Sequence, residues 1–226
     1  MPTPVQDFRP ITVRTARPTH AVLRALVCWT DPFPPIPFGC TRVHLSREGV
    51  PVPRPSGPAE RYLALFRPWA VVDQNEHVLD FRLPCASNDG ATGILVDVRV
   101  NVMITEPEGA VLRRAAGVRS HVQPEVGLRV GDALAQRPDG VPAVGFSAPL
   151  APLSTARERV ASMHTVQRQV VCGLAETLRP GTFWRGSFYR VTVVSCSVAF
   201  DQVTQGHHDR LVAAARDAER RHLPTG

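Results

Sequence analysis

One short stretch of the chain groups side chains that are suited to metal binding. His207-His208-Asp209 puts three potential ligands in consecutive positions, and metal sites are built from such residue types. The sequence offers no second cluster at a recognisable spacing that would complete a site. Solvated residues at the start of a helix are therefore the favoured interpretation, and no metal ligand is predicted.

A thiol nucleophile with an imidazole partner would have to come from Cys172 and His164. Eight residues along a helix correspond to about two turns, which is too far for direct contact. A core cysteine is the favoured interpretation, and we predict neither a catalytic nor a cofactor-binding residue. A hydrolase or transferase built around Cys172, His164 or the His207-His208 pair is the alternative from a different class.

All 26 basic residues are arginine, and with 20 acidic residues they give a net charge of +6. Arginine binds carboxylate and phosphate through a planar fork, so anionic surfaces are suitable partners, as lipid headgroups or as nucleic acid. No aromatic residues are interleaved with the arginines, which argues against nucleic acid, and an ordinary solvated face is the commonest explanation. The two groups are Arg9, Arg14, Arg17 and Arg24 near the N-terminus and Arg210, Arg216, Arg220 and Arg221 near the C-terminus.

Cysteine usage indicates the compartment. Five widely spaced cysteines without a Cys-x-x-Cys motif are typical of buried apolar side chains in a reducing cytoplasm, not of a disulfide framework. A chain of 226 residues, 43% of them hydrophobic, is long enough for one main domain with a sizeable core. The cysteines are Cys28, Cys40, Cys85, Cys172 and Cys196.

Eight prolines in residues 1–38 predict an extended arm that packs poorly as regular structure, apart from a short helix or strand near 20–29. We expect no signal peptide and no membrane span, because the best apolar patch, 25–29, falls far short of the roughly 20 residues that a spanning helix needs. A cytoplasmic protein, soluble or peripheral, is expected. Apolar residues beside Arg24 predict weak, salt-sensitive binding of the arm to an anionic membrane surface. They are Leu26, Val27, Trp29, Phe33, Ile36 and Phe38.

The clearest predicted strand covers residues 94–104, where every second residue is Ile or Val. Residues 78–83 form a strand before it, and the turn residues 87–90 join the two into an antiparallel hairpin. A strand is predicted from Thr41, because Val43 and Leu45 alternate with Arg42, His44 and Ser46. Further strands are predicted over 61–66, 69–73 and 189–200.

Three capping boxes predict helix starts at Thr105, Ser120 and Thr155, since each is followed three residues later by Glu or Gln. Gly117 should end the first helix. The second should bury Val122, Val126, Val130, Ala133 and Leu134, and the third Val160, Met163, Val170, Val171, Leu174 and Leu178. The proline-rich residues 137–152 should form an exposed loop. After Gly206, a last short helix is predicted over 207–222.

This order of elements, together with two local motifs, resembles the SPFH or band 7 family of stomatins, prohibitins and flotillins. The motifs are Asn88-Asp89-Gly90 before the long strand and Glu106-Pro107-Glu108 after it. Residues 39–49, with Val43 and Leu45 between two glycines, are similar to the family's opening strand. The resemblance implies an α+β SPFH-like domain over 39–202, with antiparallel strands first, then helices packed on the sheet and a final strand. Residues 1–38 form the arm, and 203–226 carry the short C-terminal helix.

The functional implication of the resemblance is a non-enzymatic scaffold or adaptor that associates with itself, with a partner protein or with a membrane surface. The family contributes no catalytic residue to this sequence. Its members usually have an N-terminal membrane anchor and a long coiled coil. Here we expect the arm in place of the anchor, and a final helix too short for a sustained heptad array.

Overall fold

Two four-stranded antiparallel sheets and several helices make up an α+β fold, which confirms the class predicted from the sequence. The computed structural model describes residues 10–14, 33, 35–64, 66–86, 93–113, 117–135 and 155–222. The strands are β1 (Ile11–Arg14), β2 (Cys40–Leu45), β3 (Pro51–Val52), β4 (Trp69–Asp73), β5 (His77–Ala86), β6 (Gly93–Ile104), β7 (Phe183–Arg185) and β8 (Tyr189–Phe200). The helices are α1 (Pro58–Ala64), α2 (Pro107–Leu112), α3 (Arg119–Ala135), α4 (Ala156–Thr177) and α5 (Gln202–His222).

The chain divides into two compact units. Unit 1 comprises Met1–Leu79, Asn101–Val122 and Phe183–Thr192. Unit 2 comprises Asp80–Val100, Gln123–Thr182 and Val193–Gly226. Each unit has its own buried apolar side chains, so each is described by itself below.

The first sheet lies in unit 1, in the order β1-β4-β2-β3. β1 pairs antiparallel with β4, with Ile11 opposite Val72 and Arg14 opposite Trp69. The expectation that residues 1–38 pack poorly as regular structure is therefore wrong for β1. The predicted element near 20–29 lies outside the described residues.

Unit 1 buries Trp69 and Phe33 in a cluster with Ala64 and Val71. The guanidinium carbon of Arg42 lies 4.6 Å from the centre of the Phe33 ring and 5.1 Å from that of Trp69. His44 is buried too, with its ring edge-on to Phe33. Burial in β2 therefore does not follow the alternation of apolar and polar residues at His44, because Phe33 packs against its ring from outside the strand.

Residues 61–66 were predicted as a strand, and that prediction is wrong because they belong mostly to α1. The Glu60 carboxylate accepts hydrogen bonds from the backbone N–H groups of Ser56 and Gly57 and from the Ser56 hydroxyl. These contacts tie the first turn together in the manner of a helix cap. A local cap therefore prevails over a short apolar pattern.

The second sheet has the order β5-β6-β8-β7. β6 alternates as predicted, since Ile94, Val96, Val98 and Val100 are all buried. On the opposite face, Arg82 pairs with Asp97 at 2.7 Å and Arg99 with Asp80 at 2.6 Å. Later residues of β6 meet earlier residues of β5, which confirms the antiparallel pairing of these two strands. The predicted turn at 87–90 lies outside the described residues.

The helix boundaries differ from prediction at several glycines and caps. α2 ends at Leu112 and not at Gly117, and α3 begins at Arg119, so Ser120 lies inside it and donates to the Gly117 carbonyl oxygen. α5 begins at Gln202 and contains Gly206. The capping box at Thr155 is confirmed, with both reciprocal hydrogen bonds to Glu158. The predicted loop at 137–152 is outside the described residues.

The buried faces of α3 and α4 are largely those predicted, except that Val166 is buried in place of Val171. Val122, Val126, Val130 and Ala133 of α3 are buried, whereas Leu134 is half-buried. In α4, Met163, Val170 and Leu174 are buried, and so is Leu178 just beyond it, while Val160 is half-buried. The inward assignment of Val171 is wrong, because it is 46% exposed and Val166 occupies the buried face instead. Of the helices in the described residues, none is long and apolar enough to cross a membrane.

Candidate functional site

Two histidines that lie 44 residues apart in sequence meet in unit 2. His164 on α4 and His208 on α5 place their Nε2 atoms 3.1 Å apart, with the rings nearly perpendicular at 84°. Since a hydrogen bond needs one donor and one acceptor, one Nε2 carries the proton and the other Nε2 accepts the hydrogen bond. The alternative hypothesis of a hydrolase or transferase names three histidines, and the structure brings two of them together. The third, His207, is exposed on another side of α5.

The packing of α4 on α5 holds this histidine pair. The Phe200 ring, at the end of β8, lies 6.3 Å from the His164 ring and 5.6 Å from the His208 ring, measured between centres. Farther along α5, Glu219 pairs with Arg157 at 3.6 Å. Later residues of α5 therefore meet earlier residues of α4, so the two helices run antiparallel. His208 also approaches Asp209, with 3.4 Å between Nδ1 and Oδ1.

The start of α5 is fixed by a polar network between strand ends. The Asp201 carboxylate accepts from the Thr204 N–H at 2.7 Å, while the Thr204 hydroxyl accepts from the Gly93 N–H at 2.8 Å. The Asp201 N–H donates to the Gly93 carbonyl oxygen at 2.9 Å. Hydrogen bonds from Thr204 lower the pKa of the Asp201 carboxyl. The N-cap therefore sets the position of His208 two turns later.

Cys172 does not complete a catalytic arrangement with the histidines. It is exposed on α4, which corrects the prediction of a core cysteine, and eight residues put it about 12 Å along the helix axis from His164. Burial raises the pKa of the Cys85 thiol, and burial with the nearby Asp97 charge raises that of Cys196 to about 11. Such thiols are poor nucleophiles at neutral pH. Cys28 lies outside the described residues.

A second candidate is a cleft of about 510 Å³ in unit 1. Its lining combines the apolar side chains of Phe33 and Ile36 with the basic side chains of Arg42 and Arg54, and Cys40 adds a thiol whose pKa burial raises. Its volume is in the range of small-molecule pockets. The arginine groups predicted from the sequence supply neither guanidinium.

The junction between β6 and α2, also in unit 1, is built around Phe188. The N–H groups of Thr105 and Glu106 both donate to the Phe188 carbonyl oxygen, at 3.0 and 3.2 Å. Glu106 is the N-cap without a side-chain hydrogen bond, so the predicted capping box at Thr105 is wrong, while Pro107 does open the helix. A Cβ at Gly109 would lie 3.3 Å from the Phe188 Cβ. Pro107 and Gly109 therefore allow close packing of a strand–helix corner.

Sequence reasoning missed the histidine pair and the Phe188 corner for the same reason. Both depend on partners more than 40 residues away, and neither partner has a distinctive spacing. The only local signal was the helix periodicity that puts His164 next to the half-buried face of α4. Within the described parts of the chain, no group of three or more His, Cys, Asp or Glu is placed to hold a metal ion.

Comparison with known proteins adds no assignment to these sites. No family model matches the sequence, and no curated protein matches it.

Proposed function

We propose that the chain is a non-enzymatic scaffold of the SPFH or band 7 type, which associates with copies of itself or with a partner protein. Its SPFH-like domain would span residues 39–202. The observation that carries the proposal is the strand–helix corner at Glu106-Pro107-Glu108, on which the sequence resemblance is most specific.

Support for this corner comes from its packing. Phe188 is fully buried and lies between the rings of His121 and Tyr189, at 5.2 and 5.0 Å between centres. The Tyr189 hydroxyl donates to the His121 carbonyl oxygen at 3.1 Å. Pro107 suits the first helical position because its fixed φ matches the helix, and an added Cβ at Gly109 would lie only 3.3 Å from the Phe188 Cβ. Pro107 and Gly109 therefore have structural reasons of their own, as expected for a family signature without catalytic residues.

Self-association is tested by the molar mass in solution. We expect size-exclusion chromatography with light scattering to give a mass above the 24.7 kDa of one chain. The measurement is repeated at high salt, because salt screens the arginine charges. Aggregates held by these charges then dissociate, whereas an apolar interface stays intact. Assembly that survives high salt supports a scaffold, whereas assembly lost in salt is nonspecific.

The same proposal includes peripheral contact with an anionic membrane. Phe38 is 97% exposed, whereas Phe33 is buried against Arg42, so only the former is free to enter a lipid surface. Deleting residues 1–38 would also remove β1 and Phe33 from unit 1. Point substitution is therefore the cleaner test of the arm.

We expect the full chain to float with vesicles of anionic lipid at low salt and much less at high salt, because the attraction is largely between arginine and headgroups. Phe38→Ser should weaken flotation. Phe183→Ser, which changes another exposed phenylalanine (63%) in β7, should not. Equal flotation of the two variants, or no effect of salt, would remove the arm as the membrane contact.

The Cys/His hydrolase or transferase is not favoured by a specific observation, since Cys172 and the His164–His208 pair are separated along α4.

A further inference from the structure

We propose that His164 and His208 form a two-histidine site for a transition-metal cation such as Zn²⁺ or Ni²⁺. Imidazole is the preferred nitrogen ligand of these ions. The two Nε2 atoms face each other at 3.1 Å across the α4–α5 contact. This arrangement brings the ligating atoms together before any ion binds.

The separation of the nitrogen atoms fits metal coordination. With metal–nitrogen bonds of about 2.0–2.1 Å, atoms 3.1 Å apart subtend about 98° at the metal. That angle lies between the value of about 90° for neighbouring square-planar ligands and the value of about 109° for tetrahedral ones. A shift of a few tenths of an ångström accommodates either geometry.

The positions of the protons on the two histidines are compatible with metal binding. Asp209 Oδ1 lies 3.4 Å from His208 Nδ1, a contact that favours a proton on Nδ1 and leaves the His208 Nε2 lone pair to accept the hydrogen bond from His164. His164 Nε2 then carries the proton that the pair shares. When a cation binds, it takes both Nε2 lone pairs, and the His164 proton moves to its Nδ1 with no net change in protonation. A carboxylate behind a ligating histidine is a common feature of metal sites.

The rest of the coordination shell is water. Since the described residues contain no group of three or more potential ligands around one point, the protein contributes two ligands and the other positions are open. An open site of this kind exchanges its ion readily. Because α4 and α5 are bridged when it is filled, the cation stabilises the packing of these helices.

The test is a titration of the full chain with Zn²⁺, and then with Ni²⁺, by calorimetry, together with the thermal midpoint at each metal concentration. We expect one ion per chain, a rise in the midpoint, and a loss of affinity of at least tenfold in both His164→Ala and His208→Ala. His207→Ala is the matched control, because it removes an exposed neighbouring histidine from the same helix. It should bind as the unchanged chain does.

Two further measurements separate this site from other sources of binding. Cys172→Ser should leave affinity unchanged, which excludes the exposed thiol as the ligand. Mg²⁺ should neither bind nor raise the midpoint, because it prefers oxygen ligands. Equal affinity in His164→Ala and the unchanged chain, or a loss of binding in His207→Ala or Cys172→Ser, would overturn the proposal.

Discussion

Phe188→Ala is expected to lower the free energy of unfolding by about 3–5 kcal/mol, the usual cost of removing a fully buried phenylalanine. The side chain has no exposed surface and contacts the rings of His121 and Tyr189. Gly109, which lies against it, has no side chain that could move into the cavity. Urea denaturation followed by circular dichroism measures the change.

Phe183→Ala is the matched control for this experiment. It removes the same side chain from the same unit, but at a position that is 63% exposed. Its expected effect is within about 0.5 kcal/mol. If the two substitutions had equal effects, Phe188 would not be the centre of the corner between β6 and α2.

Gly93→Ala is expected to destabilise the protein by about 1–3 kcal/mol, the range for overpacking a filled site. A Cβ at this position would lie 1.8 Å from Asp201 Oδ2 and 2.4 Å from its Cγ. Asp201 is short and holds the Thr204 N–H, so it cannot move aside without losing the cap of α5. The measurement is again the free energy of unfolding in urea.

The same substitution at Gly206 should have the opposite sign. Gly206 lies inside α5, and a Cβ there would meet open space. Alanine in a helix interior is favoured over glycine by about 0.5–1 kcal/mol. Gly206→Ala should therefore stabilise the chain. For Gly93→Ala, an unchanged free energy of unfolding would show that Asp201 does not cap α5 as described.

Strand positions were predicted well where the chain alternates over a long distance. β6 has nearly the predicted bounds, because a run of apolar residues at every second position has no helical equivalent of that length, and β8 spans the predicted residues 189–200. The capping box at Thr155 was also readable, since both of its hydrogen bonds connect residues three apart. Such features are local, so the sequence alone contains them.

Features that depend on distant partners could not be predicted. Phe33 packs on His44, and His164 contacts His208. The spacing of these residues in the sequence predicts neither contact. The last helix is predicted to start after Gly206, yet the Asp201 cap fixes its start at Gln202. A capping box is predicted at Thr105, yet the Thr105 N–H donates to the Phe188 carbonyl oxygen. In each case a tertiary contact outweighs a local preference.

The molar mass of the chain in solution tests the central proposal of a self-associating scaffold most directly. Light scattering across a hundredfold range of protein concentration should give a defined multiple of 24.7 kDa that persists at high salt. A mass of one chain at every concentration, with no complex formed, would contradict self-association.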